Sequence, residues 1–179
     1  RQELFTEKDI FFHNERWHSL DIHSDLSNAS KEELLVNLNA IIYSLHKSIV
    51  EATHFIITYG TSWVYRNLET NEIVANCHKV PQKQFKKELL SVETIQKSIE
   101  NTNQLIQSIN PKVHFIFTVS PVRHFKDGFV ENQISKAHLI SAIHSTHNSQ
   151  LTTHNYFPSY EIMMDELRDY RFYAEDMIH

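Results

Sequence analysis

Two short runs constrain the fold of this chain more than anything else in it. His54-Phe55-Ile56-Ile57-Thr58-Tyr59 leads into Gly60, and Val113–Val119 leads into Ser120-Pro121. Both are nearly continuous in apolar, aromatic or β-branched residues, the pattern of a strand buried on its two faces rather than on one. Each run follows a helical period. Leu34, Leu35, Leu38, Ile41, Ile42, Leu45 and Ile49 repeat behind a capping box of Ser30 and Glu33. Val92, Ile95, Ile99, Leu105, Ile106 and Ile109 repeat before the stop at Asn110-Pro111. Buried strands separated by about fifty residues of helix argue for an α/β fold: a three-layer α/β/α sandwich with a mainly parallel sheet.

The remaining chain fits around that frame as a single domain spanning 1–179. Residues 1–29 read as irregular and aromatic-rich, and 82–90 as helical. Trp63–Arg66 and Ile73–Asn76 suggest a hairpin. Gly128 marks a turn, Glu131–Asn148 a helix, His154–Phe157 a short strand, and Glu161–Arg168 a last helix. In open α/β sheets ligands gather at the carboxyl ends of the strands. The pattern puts Gly60-Thr61-Ser62-Trp63, Ser120-Pro121-Val122-Arg123-His124 and the region after Phe157 on one rim.

Composition removes several functional classes. The net charge is −5, with no basic stretch to suit nucleic acid or an anionic membrane, so neither partner is expected. No apolar run approaches the roughly 20 residues of a membrane span. A lone cysteine, Cys77, rules out an internal disulfide and fits a reducing compartment, with the cytoplasm as the expectation. Only two glycines occur, Gly60 and Gly128, so no glycine-rich phosphate loop can be built. The 13 histidines are scattered. His138, His144 and His147 share one helix, but that helix also needs an apolar face, and ordinary imidazoles account for them better than a metal does. No metal and no organic cofactor is expected.

Chemistry concentrates at the end of the sequence. Asp176-Met177-Ile178-His179 sets a carboxylate three residues ahead of an imidazole. A turn of that length can seat the carboxylate on Nδ1–H and leave Nε2 as a general base. That is the acid and base of a serine-hydrolase triad. Of the internal hydroxyls, Ser120 is the best nucleophile candidate, at a strand end beside Arg123 and His124, but Ser-Pro at such a place is more often a turn. Arg123 and His124 could orient an anionic or hydroxylated substrate, with a salt bridge from Arg123 to Asp169 or Glu161 as the structural alternative. Cys77 and His78 are neighbours on what reads as an extended segment, so their side chains should point apart. Cys77 is better explained as a small, partly buried residue. Asp165 to Arg171 balance acids against bases among aromatics, which suits a packed support for the terminal turn.

Four blocks carry a resemblance: YGTSWVYR (Tyr59–Arg66), VANCHKVP (Val74–Pro81), TVSPVRHFKDGFVENQISKAHL (Thr118–Leu139) and YFPSYEIMMDELRDYRFYAEDMIH (Tyr156–His179). Together they resemble the GSCFA domain family, a bacterial branch of the broad SGNH hydrolase group. The resemblance covers nearly the whole chain and implies a flavodoxin-like α/β/α sandwich. It implies acyl-ester hydrolysis, with a small acyl ester or acylated carbohydrate as substrate. Transfer of the acyl group to a carbohydrate, or a non-catalytic binding module keeping the fold, are the alternatives. By similarity, Asp176 and His179 are the triad acid and base, and Gly60-Thr61 is the block that helps bind the oxyanion. Trp63 stands where that block would carry asparagine, and Asn76 is the conjectured substitute. The Gly-Ser-Cys-Phe-Ala motif, whose serine is the family's nucleophile, is expected upstream of Arg1. The first strand and the last helix are likewise expected beyond the chain, which then reads as an internal portion of a longer protein. Oligomeric state is not legible.

Overall fold

A computed structural model describes residues 3–147 and 154–179. The chain divides into two compact units, one built from 1–51 and 64–88, the other from 52–63 and 89–179.

The first unit begins with a hairpin of β1 (Phe11–His13) and β2 (Arg16–His18), paired Phe11 to His18 and His13 to Arg16. Its two-residue turn needs φ > 0 twice, and Asn14 (φ 45°) and Glu15 (φ 60°) supply it. The described part of 1–29 is therefore more ordered than its sequence suggests. The helix α1 (Lys31–Glu51) follows. Ser30 Oγ accepts the Glu33 N–H at 3.2 Å as the capping box requires. The carboxylate that takes the Ser30 hydroxyl is Glu32, not Glu33. Ile10, Ile22, Leu34 and Leu38 form a buried cluster against Phe5, Trp17 and Leu35. Asn39 exchanges two hydrogen bonds with the Phe5 backbone, which fastens the start of the described chain to α1.

The same unit holds a small sheet ordered β5–β4–β6, from β4 (Trp63–Asn67), β5 (Ile73–Val74) and β6 (Phe85–Leu89). The expected hairpin is present, with Tyr65 opposite Val74. The helix expected over 82–90 is not: Gln82–Gln84 is one 3-10 turn and Phe85–Leu89 is a strand. Lys, Gln, Glu and Leu favour helix locally, but β6 completes the sheet beside β4, and Arg66 clasps Glu88 at 2.6 Å. Tertiary pairing overrides propensity here.

The second unit has a parallel sheet ordered β3–β7–β8, from β3 (His54–Tyr59), β7 (His114–Val119) and β8 (His154–Phe157). β3 runs in full register with β7, from His54 opposite His114 to Tyr59 opposite Val119. The helix α2 (Val92–Ile109) is capped by Ser91, which accepts the Thr94 N–H. It packs on α3 (Phe129–His147), and α3 packs on β7. Phe115, Phe117, Val119, Leu139, Ala142 and Ile143 fill this interior. The chain is thus an α/β protein with a three-stranded parallel sheet flanked by helices. The last expected helix is a single α turn, Ser159–Glu161, that widens to a π turn over Ile162–Glu166. No helix among the described residues is long and apolar enough to cross a membrane.

Candidate active site

Three segments leave the carboxyl ends of the parallel strands in the second unit. Gly60-Thr61-Ser62 follows β3, Ser120 to His124 follows β7, and Pro158-Ser159 follows β8. They are held by side chains rather than by loop packing alone. Ser159 Oγ donates to Val119 O at 2.7 Å and bonds Thr118 Oγ1, joining the third segment to the second strand. Helix α3 supplies the other ties. Ser135 Oγ accepts the Ser62 N–H at 2.7 Å and bonds Thr61 Oγ1 at 2.9 Å, and Ser62 Oγ donates to Ser135 O at 3.1 Å. Lys136, wholly buried, donates from Nζ to Gly60 O and Ser120 O, both at 2.6 Å. Burial lowers its affinity for the proton, to a pKa of about 8.

The terminal turn sits against the β7 segment. Arg123 N–H donates to Ile178 O at 3.2 Å. Within the turn, Asp176 Oδ1 accepts the N–H groups of Ile178 and His179 at 2.9 and 3.0 Å, while Oδ2 bonds His179 Nδ1. These backbone donors, with the imidazole, hold the Asp176 carboxyl down at about 2. Met177, between them, takes a left-handed φ of 59° to bring the donors round, and Ala174 N–H closes the loop on His179 O. The Asp–His geometry anticipated from spacing is formed: carboxylate on Nδ1, and Nε2 turned from it. His179 remains 62% exposed at its side chain.

His124 links this turn to the glycine segment. Its Nε2 lies 3.7 Å from where a Cβ on Gly60 would stand. Burial lowers its proton affinity first, with Lys136 and His179 adding to the effect by like charge. Its Nε2 is buried beside the Gly60 backbone, and its main-chain N–H donates to Asn132 Oδ1 at 2.9 Å. His124 therefore stands between Gly60 and the Asp–His turn with its proton affinity lowered. Arg123 does not make the salt bridge weighed for it. Asp169 pairs with Arg171 at 2.7 Å, and Glu161 accepts the Tyr156 hydroxyl at 2.8 Å. The guanidinium instead stacks on Tyr173 (4.1 Å), Tyr170 (5.2 Å) and Phe125 (5.4 Å), a cation–π cage from the aromatic tail. A groove of about 570 Å³ opens beside it, lined by Phe125, Phe129, Val130, Ile134 and Tyr160.

Other expectations fall differently. Ser120 Oγ accepts the Val122 N–H at 3.2 Å, the turn reading of Ser-Pro, and its carbonyl is held by Lys136. The Thr61 hydroxyl is spent on Ser135 and on the Trp63 N–H. Trp63, where asparagine was looked for, donates its indole N–H to Glu131 O at 3.2 Å. Asn76 belongs to the first unit, where its Oδ1 accepts the His78 N–H at 2.8 Å. The Cys77–His78 segment is not extended: His78 (φ 47°) and Lys79 (φ 60°) are left-handed. Its conclusion stands nonetheless, since His78 Nε2 bonds Ser19 O at 2.6 Å and burial pushes the Cys77 thiol up. His138 Nδ1 bonds Leu90 O and His144 packs on Tyr156, while the His147 side chain lies outside the described residues. Among the described residues no group of three or more His, Cys, Asp or Glu could hold a metal ion.

Sequence reasoning passed over Ser135 and Lys136. A signal was there: Asn132, Ser135, Lys136, Leu139, Ala142, Ile143 and Thr146 fall on one helical face, and a lysine inside that stripe demands a partner.

These features define an α/β protein with a parallel sheet, an Asp–His pair at its carboxyl edge, and a lysine clamp beneath. The GSCFA family model matches residues 1–179, the whole chain, and the chain belongs to the GSCFA family. No match is found among curated proteins or among solved structures.

Proposed function

We propose that this chain is the base-bearing part of an SGNH-type acyl-ester hydrolase, and that its fold is the three-layer sandwich of that group. The observation that carries the reading is the closed Asp176–His179 turn docked on Arg123. A carboxylate fixed by two backbone N–H groups and bonded to Nδ1 sets the tautomer, so Nε2 is the basic atom. In the proposed reaction, His179 takes the proton of an attacking serine hydroxyl as that oxygen bonds to the acyl carbon. It then returns the proton to the departing alcohol, and the acyl-enzyme is cleaved by water in a second round. Asp176 stays ionised throughout, steadying the imidazolium. Backbone N–H groups of the Gly60-Thr61 turn stabilise the oxyanion. The attacking serine is proposed to be that of a Gly-Ser-Cys-Phe-Ala segment, as the family resemblance implies. The apolar groove beside Arg123 offers a wall for the acyl group, and a hydroxylated substrate such as an acylated carbohydrate is the proposed class. The one-cysteine composition favours the cytoplasm.

The test is p-nitrophenyl acetate hydrolysis by a chain extended upstream through that segment. Activity should be lost in His179→Ala and kept in Cys77→Ala. Activity indifferent to His179 would end the triad reading. One observation favours a second reading, a binding module without ester chemistry: the indole at position 63 is turned to Glu131 and supplies no amide in place of asparagine. A fluorophosphonate probe separates the two, because only a competent serine becomes labelled. Transfer to a sugar uses the same residues and is separated by adding acceptor and following acylated product.

A further inference from the structure

We infer that Lys136 is a positioning residue of the candidate site: by gripping the carbonyls of Gly60 and Ser120, it aims the Thr61 N–H outward as an oxyanion donor. This rests on the acyl-transfer reading above.

An ammonium with no exposed surface is costly to bury, and it persists in a fold only where its protons are well placed. The partners here are main-chain oxygens rather than a carboxylate. Gly60 O and Ser120 O each accept at 2.6 Å, and the Tyr160 ring lies 5.8 Å from Nζ. These carbonyls belong to the residues directly after β3 and β7, where Tyr59 and Val119 are the last registered pair. One side chain therefore fixes the first peptide beyond each of two neighbouring strands.

Peptide geometry gives that grip its consequence. In a trans peptide the C=O and the following N–H point in opposite directions. With the Gly60 carbonyl drawn toward Lys136, the Thr61 N–H must face away from α3. The next two donors are spent: Ser62 N–H on Ser135 Oγ and Trp63 N–H on Thr61 Oγ1. After Ser120 comes Pro121, which has no N–H to offer. Thr61 is left as the donor that this clamp presents. The positive charge on the far side of the same peptide also polarises it, which strengthens the N–H as a donor. A fixed, polarised donor is what oxyanion stabilisation requires.

Two experiments test this, one free of catalysis. In ¹H–¹⁵N spectra of the chain, the Thr61 amide should titrate with the ammonium, with a midpoint near 8, and Lys136→Met should abolish that movement. A Thr61 amide that stays still while Nζ deprotonates would overturn the proposal, whether or not the protein is an esterase. In the upstream-extended enzyme, with sites counted by fluorophosphonate labelling, Lys136→Met should lower kcat per labelled site by about 10- to 100-fold. KM should hold, and the fall of kcat above about pH 8 should disappear. Lys136→Arg, which keeps the charge, should recover part of kcat. Unchanged kcat per site in Lys136→Met, with only thermal stability reduced, would make the residue structural and overturn the proposal. Absence of labelling in the wild-type enzyme would count against the esterase reading and leave the amide titration to decide the clamp.

Discussion

His18 and His78 in the first unit and His179 in the second live under opposite conditions. In the first unit His18 and His78 are buried with their rings tilted against each other at 4.7 Å, and Phe11 lies against both. Each is tied by Nε2 to a main-chain carbonyl, His18 to His13 O and His78 to Ser19 O. In the second unit His179 is exposed, its Nδ1 on a carboxylate. The Asp176 carboxylate on Nδ1 leaves Nε2 as the acceptor nitrogen of His179, the atom the proposed chemistry uses. Histidine abundance is therefore uninformative in itself. What matters is which group faces the second nitrogen.

That contrast can be broken most severely at the terminal pair. In the upstream-extended protein, His179→Ala should cut kcat on the order of 10⁴-fold or more, while His78→Ala should leave kcat per labelled site within a few-fold. Equal losses would mean the two environments do not differ in role. Asp176→Asn comes next, with an expected loss of about 10²- to 10⁴-fold from a wrong tautomer and an unsteadied imidazolium. Because the Asp176 carboxyl is held at about 2, it should stay ionised over the working range of pH, and an NMR titration placing that carboxyl at the ordinary aspartate value would contradict the closed turn.

Smaller effects sharpen the structural side. Gly128 opens the turn into α3 at φ +109°, and an added Cβ would run into the Glu131 side chain. Gly128→Ala should cost about 1–3 kcal/mol by chemical denaturation, and a neutral result would mean the turn has another geometry. The mildest prediction concerns pH. Burial, then the charges of His18 and His23, lower the proton affinity of His78 below its usual value of 6.5. The unfolded chain then binds the proton first. Stability present above about pH 6.5 should decline as pH falls through the lower folded value. Thermal melts between about pH 7.5 and 5 should show this, and His78→Gln should flatten the slope; a slope unchanged by the substitution would assign it elsewhere.

Legibility in the sequence followed the physics of each segment. β7 was readable because burial on both faces leaves a continuous apolar run, and α2 because Ser91 and Asn110 bracket a clean period. β3 forms where the same pattern put it, but it is not buried on two faces: His54, Ile56 and Thr58 are exposed and the alternate residues half-buried. The strand Phe85–Leu89 was not, since its residues favour helix and only the neighbouring β4 makes it extended. The Asp176–His179 turn was legible because both partners lie within one local loop, where spacing fixes geometry. The Lys136 clamp and the aromatic cage around Arg123 were not. Each joins residues distant in sequence, and a lysine or arginine alone does not say whether it will meet a carboxylate, a carbonyl or a ring.

The pairing of β3 with β7, and of β7 with β8, also governs when this rim comes into being. Parallel neighbours meet only after a whole helix has closed the loop between them, an entropic cost met before any ladder bond rewards it. The β1–β2 hairpin, closed by a two-residue turn, can zip at once. During synthesis the amino-terminal region should therefore gain protection from hydrogen exchange early. Gly60 and Ser120 should be brought under one ammonium only in the final steps of folding.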